Sequence, residues 1–78
     1  MNYKERITID PNIMLGKPVI KGTRVTVELI LKKLSEGMSM KELLETYPHL
    51  KKEDILAALR YAKGVLRHEE VYPLAQTV

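Results

Sequence analysis

The sequence predicts an all-α domain of three helices in a helix-turn-helix arrangement, preceded by two short β-strands. Three observations carry this. Apolar residues recur at helical spacing in three successive windows. The middle window opens on a capping box, Ser39-Met40-Lys41-Glu42, and closes at Pro48, which pushes the residue before it out of helical geometry. Only Pro48-His49-Leu50 and a cap residue then separate it from the third window, the tight connection of a tri-helical module.

Ile7-Thr8-Ile9-Asp10 alternates apolar and polar and reads as the first strand, broken by Asp10-Pro11-Asn12. Gly16, Pro18 and Gly22 punctuate the next stretch. Arg24-Val25-Thr26-Val27 alternates again, is rich in β-branched residues, and reads as the second strand. A two-stranded ribbon is barely stable alone in water, so it must pack on the helices or pair with another copy.

The first helix is expected from Val27 to Glu36, with Thr26 as N-cap. Val27, Ile30, Leu31 and Leu34 form its apolar face, and Gly37 forms a left-handed C-terminal cap. Met40, Leu43, Leu44 and Tyr47 form the apolar face of the second helix. The third starts near Lys51 or Lys52 and continues to about Arg67, with Glu53 and Asp54 in the first turn, where the helix dipole favours negative charge. Ile55, Leu59, Ala62 and Leu66 define its expected core stripe, Ala58 and Val65 widen it, and Gly64 falls off that face. The chain thus divides into a strand segment (1–26), a three-helix core (27–70) and an apolar tail (71–78).

Composition sets the limits. The chain has 78 residues, 45% of them hydrophobic, with no Trp, Phe or Cys. The core is expected to be built from Leu, Ile, Val and Met. Disulfides, thiolate catalysis and cysteine-based zinc sites are excluded. The longest apolar run, Ile55 to Leu59, has five residues, where a membrane-spanning helix needs about 20. Lys4, Glu5 and Arg6 are not followed by the apolar stretch of a signal peptide, so a cytoplasmic protein without membrane contact is expected. A core this small is marginal alone, so a homodimer or higher oligomer is expected.

The formal net charge is +3. The excess lies in residues 1–26, which hold five basic and two acidic side chains. On the third helix, Lys52, Leu56, Arg60, Lys63 and Arg67 share one stripe at about 100° per residue, and four of these five are basic. A helix laid in a major groove needs that arrangement, because phosphates and guanine edges both present acceptors. A solvated face would look the same, and Glu53 and Asp54 oppose a DNA contact at the end of the helix nearest the bases. Lys17, Lys21 and Arg24 form a rival basic surface among glycines. That segment could clamp phosphates or offer a strand edge to a second subunit. Arg24 could equally tie down Glu28 or Glu42.

Nothing in the chain reads as a catalytic set. Gly16 to Thr23 fails the phosphate-loop pattern, since five residues separate its glycines and no Lys follows Gly22. His49 sits in the turn between helices. His68-Glu69-Glu70 are adjacent, so they do not converge on one helix face to hold a metal. The expectation is a protein without enzymatic activity, cofactor or metal.

The run Gly16-Lys17-Pro18-Val19-Ile20-Lys21-Gly22-Thr23-Arg24-Val25-Thr26-Val27 carries a further signal. Together with Ile9-Asp10-Pro11, Gly37-Met38-Ser39, Tyr47-Pro48-His49-Leu50 and Ala57-Ala58-Leu59, it resembles the domain of unknown function 433 family of short prokaryotic antitoxin-like proteins, over roughly Ile7 to Ala62. Lys51 departs from the family's pattern, which favours a Ser or Thr cap there. The resemblance implies a homeodomain-like helix-turn-helix behind short strands. It also implies an antitoxin role: holding a nuclease toxin of the PIN type inactive and binding operator DNA. On that reading Lys52, Arg60, Lys63, Arg67, Lys21 and Arg24 are the candidate DNA contacts, and Val71, Tyr72 and Leu74 of the tail are the candidate toxin contacts.

Overall fold

Strand β1 (Ile7–Thr8) runs antiparallel to β2 (Val19–Ile20), with Ile7 opposite Ile20 and Thr8 opposite Val19, in a computed structural model that describes residues 3–68. The first strand thus falls within the expected window. The second does not: it precedes the Arg24–Val27 window, which contributes a single bridge, Val19 to Thr26. Val19 and Ile20 are both buried, so they show no alternation to read. Residues 24–27 instead fold back along β2. The Ile20 amide donates to the Val25 carbonyl and the Val27 amide to the Pro18 carbonyl, each at 2.9 Å. β2 is therefore covered on both edges by its own chain, and the open strand edge expected to meet a second subunit reduces to the outer side of β1.

The turn joining these segments is pinned by Thr23. Its hydroxyl donates to the Ile20 carbonyl at 2.8 Å and accepts from the Val25 amide at 3.0 Å. Gly22 beside it has φ +81°, which an L side chain rarely adopts.

Helix α1 (Val27–Ser35) starts where Thr26 accepts from the Leu29 amide at 2.9 Å. It ends as its glycine predicts. The Gly37 amide donates to the Leu34 carbonyl and the Met38 amide to the Lys33 carbonyl, which satisfies two orphan acceptors of the last turn. In α2 (Met40–Thr46) the capping box is complete: the Ser39 amide donates to Glu42 Oε1 at 2.8 Å, and the Glu42 amide to Ser39 Oγ at 3.1 Å. α2 stops before Pro48, as expected.

Helix α3 (Lys52–Leu66) has Lys51 at its N-cap. A lysine side chain cannot accept a hydrogen bond. Asp54, at the third helical position, supplies the reciprocal half of a capping box, its Oδ2 accepting from the Lys51 amide at 2.9 Å. That arrangement tolerates the departure from the family's Ser or Thr.

The core gathers Ile20, Val27, Ile30, Leu43, Leu50, Ile55, Ala58 and Tyr61, with Leu31, Leu34, Met40 and Leu44 packed partly buried against it. Full burial of one such aliphatic side chain contributes about 1.5–3 kcal/mol. The faces expected for α1 and α2 are the ones that pack. The face expected for α3 packs only in part: Ile55 and Ala58 are in the core and Val65 is partly buried against it. The buried residues of α3 are Asp54, Ile55, Ala57, Ala58, Tyr61 and Gly64, while Leu59 is 39% and Leu66 80% exposed. At about 100° per residue the true core stripe is turned roughly a third of a revolution from the expected one. The cause is the N-terminal segment. A 3-10 turn (Tyr3–Arg6) and β1 both pack on α3, and small residues at 57, 58 and 64 suit a close approach. Tyr61 also brings an aromatic ring into the centre of a core expected from Leu, Ile, Val and Met.

Candidate nucleic-acid interface

Turning the buried face of α3 places its cations well. Counted at about 100° per residue, the stripe of Lys52, Arg60, Lys63 and Arg67 lies almost opposite the core face, and all four side chains are exposed. Leu56, the apolar member, is half-buried. Every exposed position on this stripe is therefore cationic, with exposed Glu53 at its margin.

Asp54 does not join them. It is only 6% exposed, and its carboxylate is occupied on both oxygens. Oδ1 accepts from Arg6 Nη1 at 2.9 Å, and Oδ2 caps the Lys51 amide. Sequence reasoning set Asp54 against a DNA contact; its negative charge instead faces inward and is neutralised by Arg6, a residue that reasoning passed over.

The second basic surface lies near the start of this helix. A cleft of about 370 Å³ is lined by Gly22, Thr23 and Val25 on one side and by Thr46, Tyr47, Pro48, His49 and Leu50 on the other. Exposed Lys21 and Arg24 flank the first lining, and exposed Lys51 and Lys52 come directly after the second. The turn that carries Lys21 and Arg24 and the loop that leads into α3 thus face each other across this cleft. Two of the segments that carry the family resemblance, Gly22-Thr23 and Tyr47-Pro48-His49-Leu50, face each other here. That shared membership was the available signal for the cleft.

Arg24 forms no tie to Glu28 or Glu42. Glu28 meets Lys17, Nζ to Oε1 at 2.9 Å, and Glu42 is engaged by Ser39. Among the described residues, Lys21, Arg24, Lys52, Arg60 and Lys63 make no ion pair. Their charges stay available to an anionic partner. Val71, Tyr72 and Leu74 lie outside the described residues. Among the described residues there is no acidic, His or Cys cluster able to hold a metal, and no helix long and apolar enough to cross a membrane.

The chain matches the family described as protein of unknown function (DUF433) over residues 7–62. It is 38% identical over 61 residues to the uncharacterized protein y4eO of Sinorhizobium fredii, covering 78% of this chain and 28% of that relative. A 24-residue stretch is 58% identical to an uncharacterized protein of Archaeoglobus fulgidus, 31% of this chain and 67% of that one. The crystal structure of a DUF433 member from Anabaena variabilis superposes with a TM-score of 0.76 at 32% identity, covering 87% of this chain and 71% of that chain. This chain belongs to the DUF433 family. It spans little more than a quarter of the length of the Sinorhizobium relative.

Proposed function

We propose that this chain is a DNA-binding antitoxin of a type II toxin–antitoxin pair, acting by contact and not by chemistry. The observation that carries the DNA reading is the exposed cationic stripe on the outer side of α3, Lys52, Arg60, Lys63 and Arg67, with Asp54 withdrawn from it. The three helices act as a homeodomain-like helix-turn-helix. α3 lies in the major groove, Arg60 and Lys63 at its centre and Lys52 and Arg67 towards its ends, while Lys21 and Arg24 hold phosphates beside its first turn. Two copies read a two-fold site in the cytoplasm, joined along the outer edge of β1.

The toxin half of the reading rests on the family resemblance. The partner is a PIN-like nuclease, docked through Val71, Tyr72 and Leu74. Fluorescence anisotropy on duplex DNA from upstream of the gene tests the first half. Affinity that falls steeply with salt is expected, and no binding at low salt contradicts it. Co-purification with the product of a neighbouring nuclease-like reading frame tests the second half.

A second reading is a protein-interaction module that never touches DNA. It is favoured by apolar side chains held in solvent, above all Leu15 at 93% exposure. Binding to DNA at physiological salt separates the two.

A further inference from the structure

We propose that, in the chain without its toxin, the apolar groove between α1 and α3 is the seat of the chain's own C-terminal segment, residues 71–78, bound back onto the same molecule. The groove has a volume of about 380 Å³, and its walls include Pro18, Val27, Leu31, Tyr61, Val65 and Leu66. One charged side chain, Glu28, reaches its lining, and that carboxylate is held by Lys17 at 2.9 Å. An apolar, uncharged occupant therefore suits the groove. Val71-Tyr72-Pro73-Leu74-Ala75-Gln76-Thr77-Val78, which lies outside the described residues, has that character: no charge and five hydrophobic side chains.

The path of the chain favours this segment. Leu66, 80% exposed, is both the last residue of α3 and part of the groove wall. His68, two residues on, has φ +63°, and its amide donates to the Val65 carbonyl at 3.0 Å. A left-handed residue at this position is a helix C-terminal cap, so α3 ends at the groove. Six residues from His68 to Leu74 reach up to about 20 Å, whereas the α3 side of the groove, Tyr61 to Leu66, rises only about 8 Å. A segment tethered this closely meets the groove at an effective concentration on the order of millimolar. That advantage selects it over the same segment of a second copy. The groove lies on nearly the opposite side of α3 from Arg60, Lys63 and Arg67, so its occupancy does not depend on whether those cations bind DNA.

The absence of cysteine makes the test clean. The double variant Glu28→Cys, Leu74→Cys places one thiol at the groove and one in the segment. Glu45→Cys, Leu74→Cys, with its first thiol on α2, is the control. Under mild oxidation in a glutathione buffer, the groove pair should close an intrachain disulfide at least about tenfold faster than the control. Mass spectrometry and non-reducing electrophoresis read the product. Disulfides joining two chains would overturn the proposal in favour of a second copy, and equal rates would overturn it in favour of some other occupant. In the unsubstituted full chain, nuclear Overhauser contacts between the Tyr72 ring and the methyls of Leu31 or Val65 are expected. Their absence would also contradict the proposal.

Discussion

Arg6 and Asp54 stand 48 residues apart in the chain, yet Arg6 Nη1 lies 2.9 Å from Asp54 Oδ1. The pair ties the N-terminal turn to the first turn of α3. It explains how a carboxylate can be buried in a small core: one oxygen takes a guanidinium, and the other caps the helix.

Removing the guanidinium leaves that carboxylate buried and short of a partner. Truncating one side of a fully buried pair costs about 3–5 kcal/mol. The Arg6 side chain is 35% exposed, so solvent screening reduces the expected cost of Arg6→Ala to about 1–3 kcal/mol. Urea denaturation measures it, and a double-mutant cycle with Asp54→Ala should show coupling between the two positions. Independent, additive effects would mean that the contact contributes nothing.

Leu15 is held against its backbone preference. It has φ 59° and ψ 29°, between Met14 at φ 49° and Gly16 at φ 83°. Left-handed geometry costs an L residue about 1–2 kcal/mol, and a side chain 93% exposed regains little of it by packing. Glycine forfeits about 0.5–1 kcal/mol of chain entropy, so Leu15→Gly should still raise stability by roughly 0.5–1 kcal/mol. A higher melting temperature checks this; a lower one would show that Leu15 packs in the folded protein.

The capping box gives a pH signature. The Glu42 pKa is lowered from its ordinary value of 4.5, first by the hydrogen bond from the Ser39 amide and then by that from the Ser39 side chain. A depressed carboxylate contributes stability that is fully present above its unfolded value and is lost as pH falls through the folded one. Glutamine keeps an acceptor but cannot titrate. Wild type should therefore lose stability more steeply than Glu42→Gln as the pH drops below about 4.5. Thermal melts from neutral to acid pH check it, and parallel curves would contradict it.

Much of this architecture can be read from neighbouring residues because its causes are local. Thr26, Gly37, Ser39 with Glu42, and Pro48 each set a helix boundary through bonds or clashes within a few positions. The faces of α1 and α2 follow from spacing alone. The errors lie where a distant segment decides. The side of α3 that is buried depends on the 3-10 turn and β1 packing against it, so Leu59 and Leu66 emerge while Tyr61 and Gly64 go inside. β2 is hidden because burial on both faces erases alternation. The cations of the candidate interface are identifiable in sequence. That Asp54 leaves their company, and that the Lys21–Arg24 turn faces the α2–α3 turn across a cleft, depends on contacts between residues far apart in the chain.

The turn cations have their own test. Lys21→Ala with Arg24→Ala removes two exposed charges that make no ion pair among the described residues. Stability should change by less than about 0.5 kcal/mol, while DNA affinity drops uniformly across sequences, as for phosphate contacts. Sequence-selective loss would instead assign these residues to base edges.

The most direct test of the central claim is the salt dependence of DNA binding by the wild type beside Arg60→Ala, Lys63→Ala. Each phosphate neutralised contributes about 0.9 to the slope of log affinity against log salt. If α3 is the reader and both side chains meet phosphates, the double variant binds more weakly and its slope is shallower by about 1.8. Wild-type affinity and slope in the variant, or no DNA binding by either protein at low salt, would contradict the account.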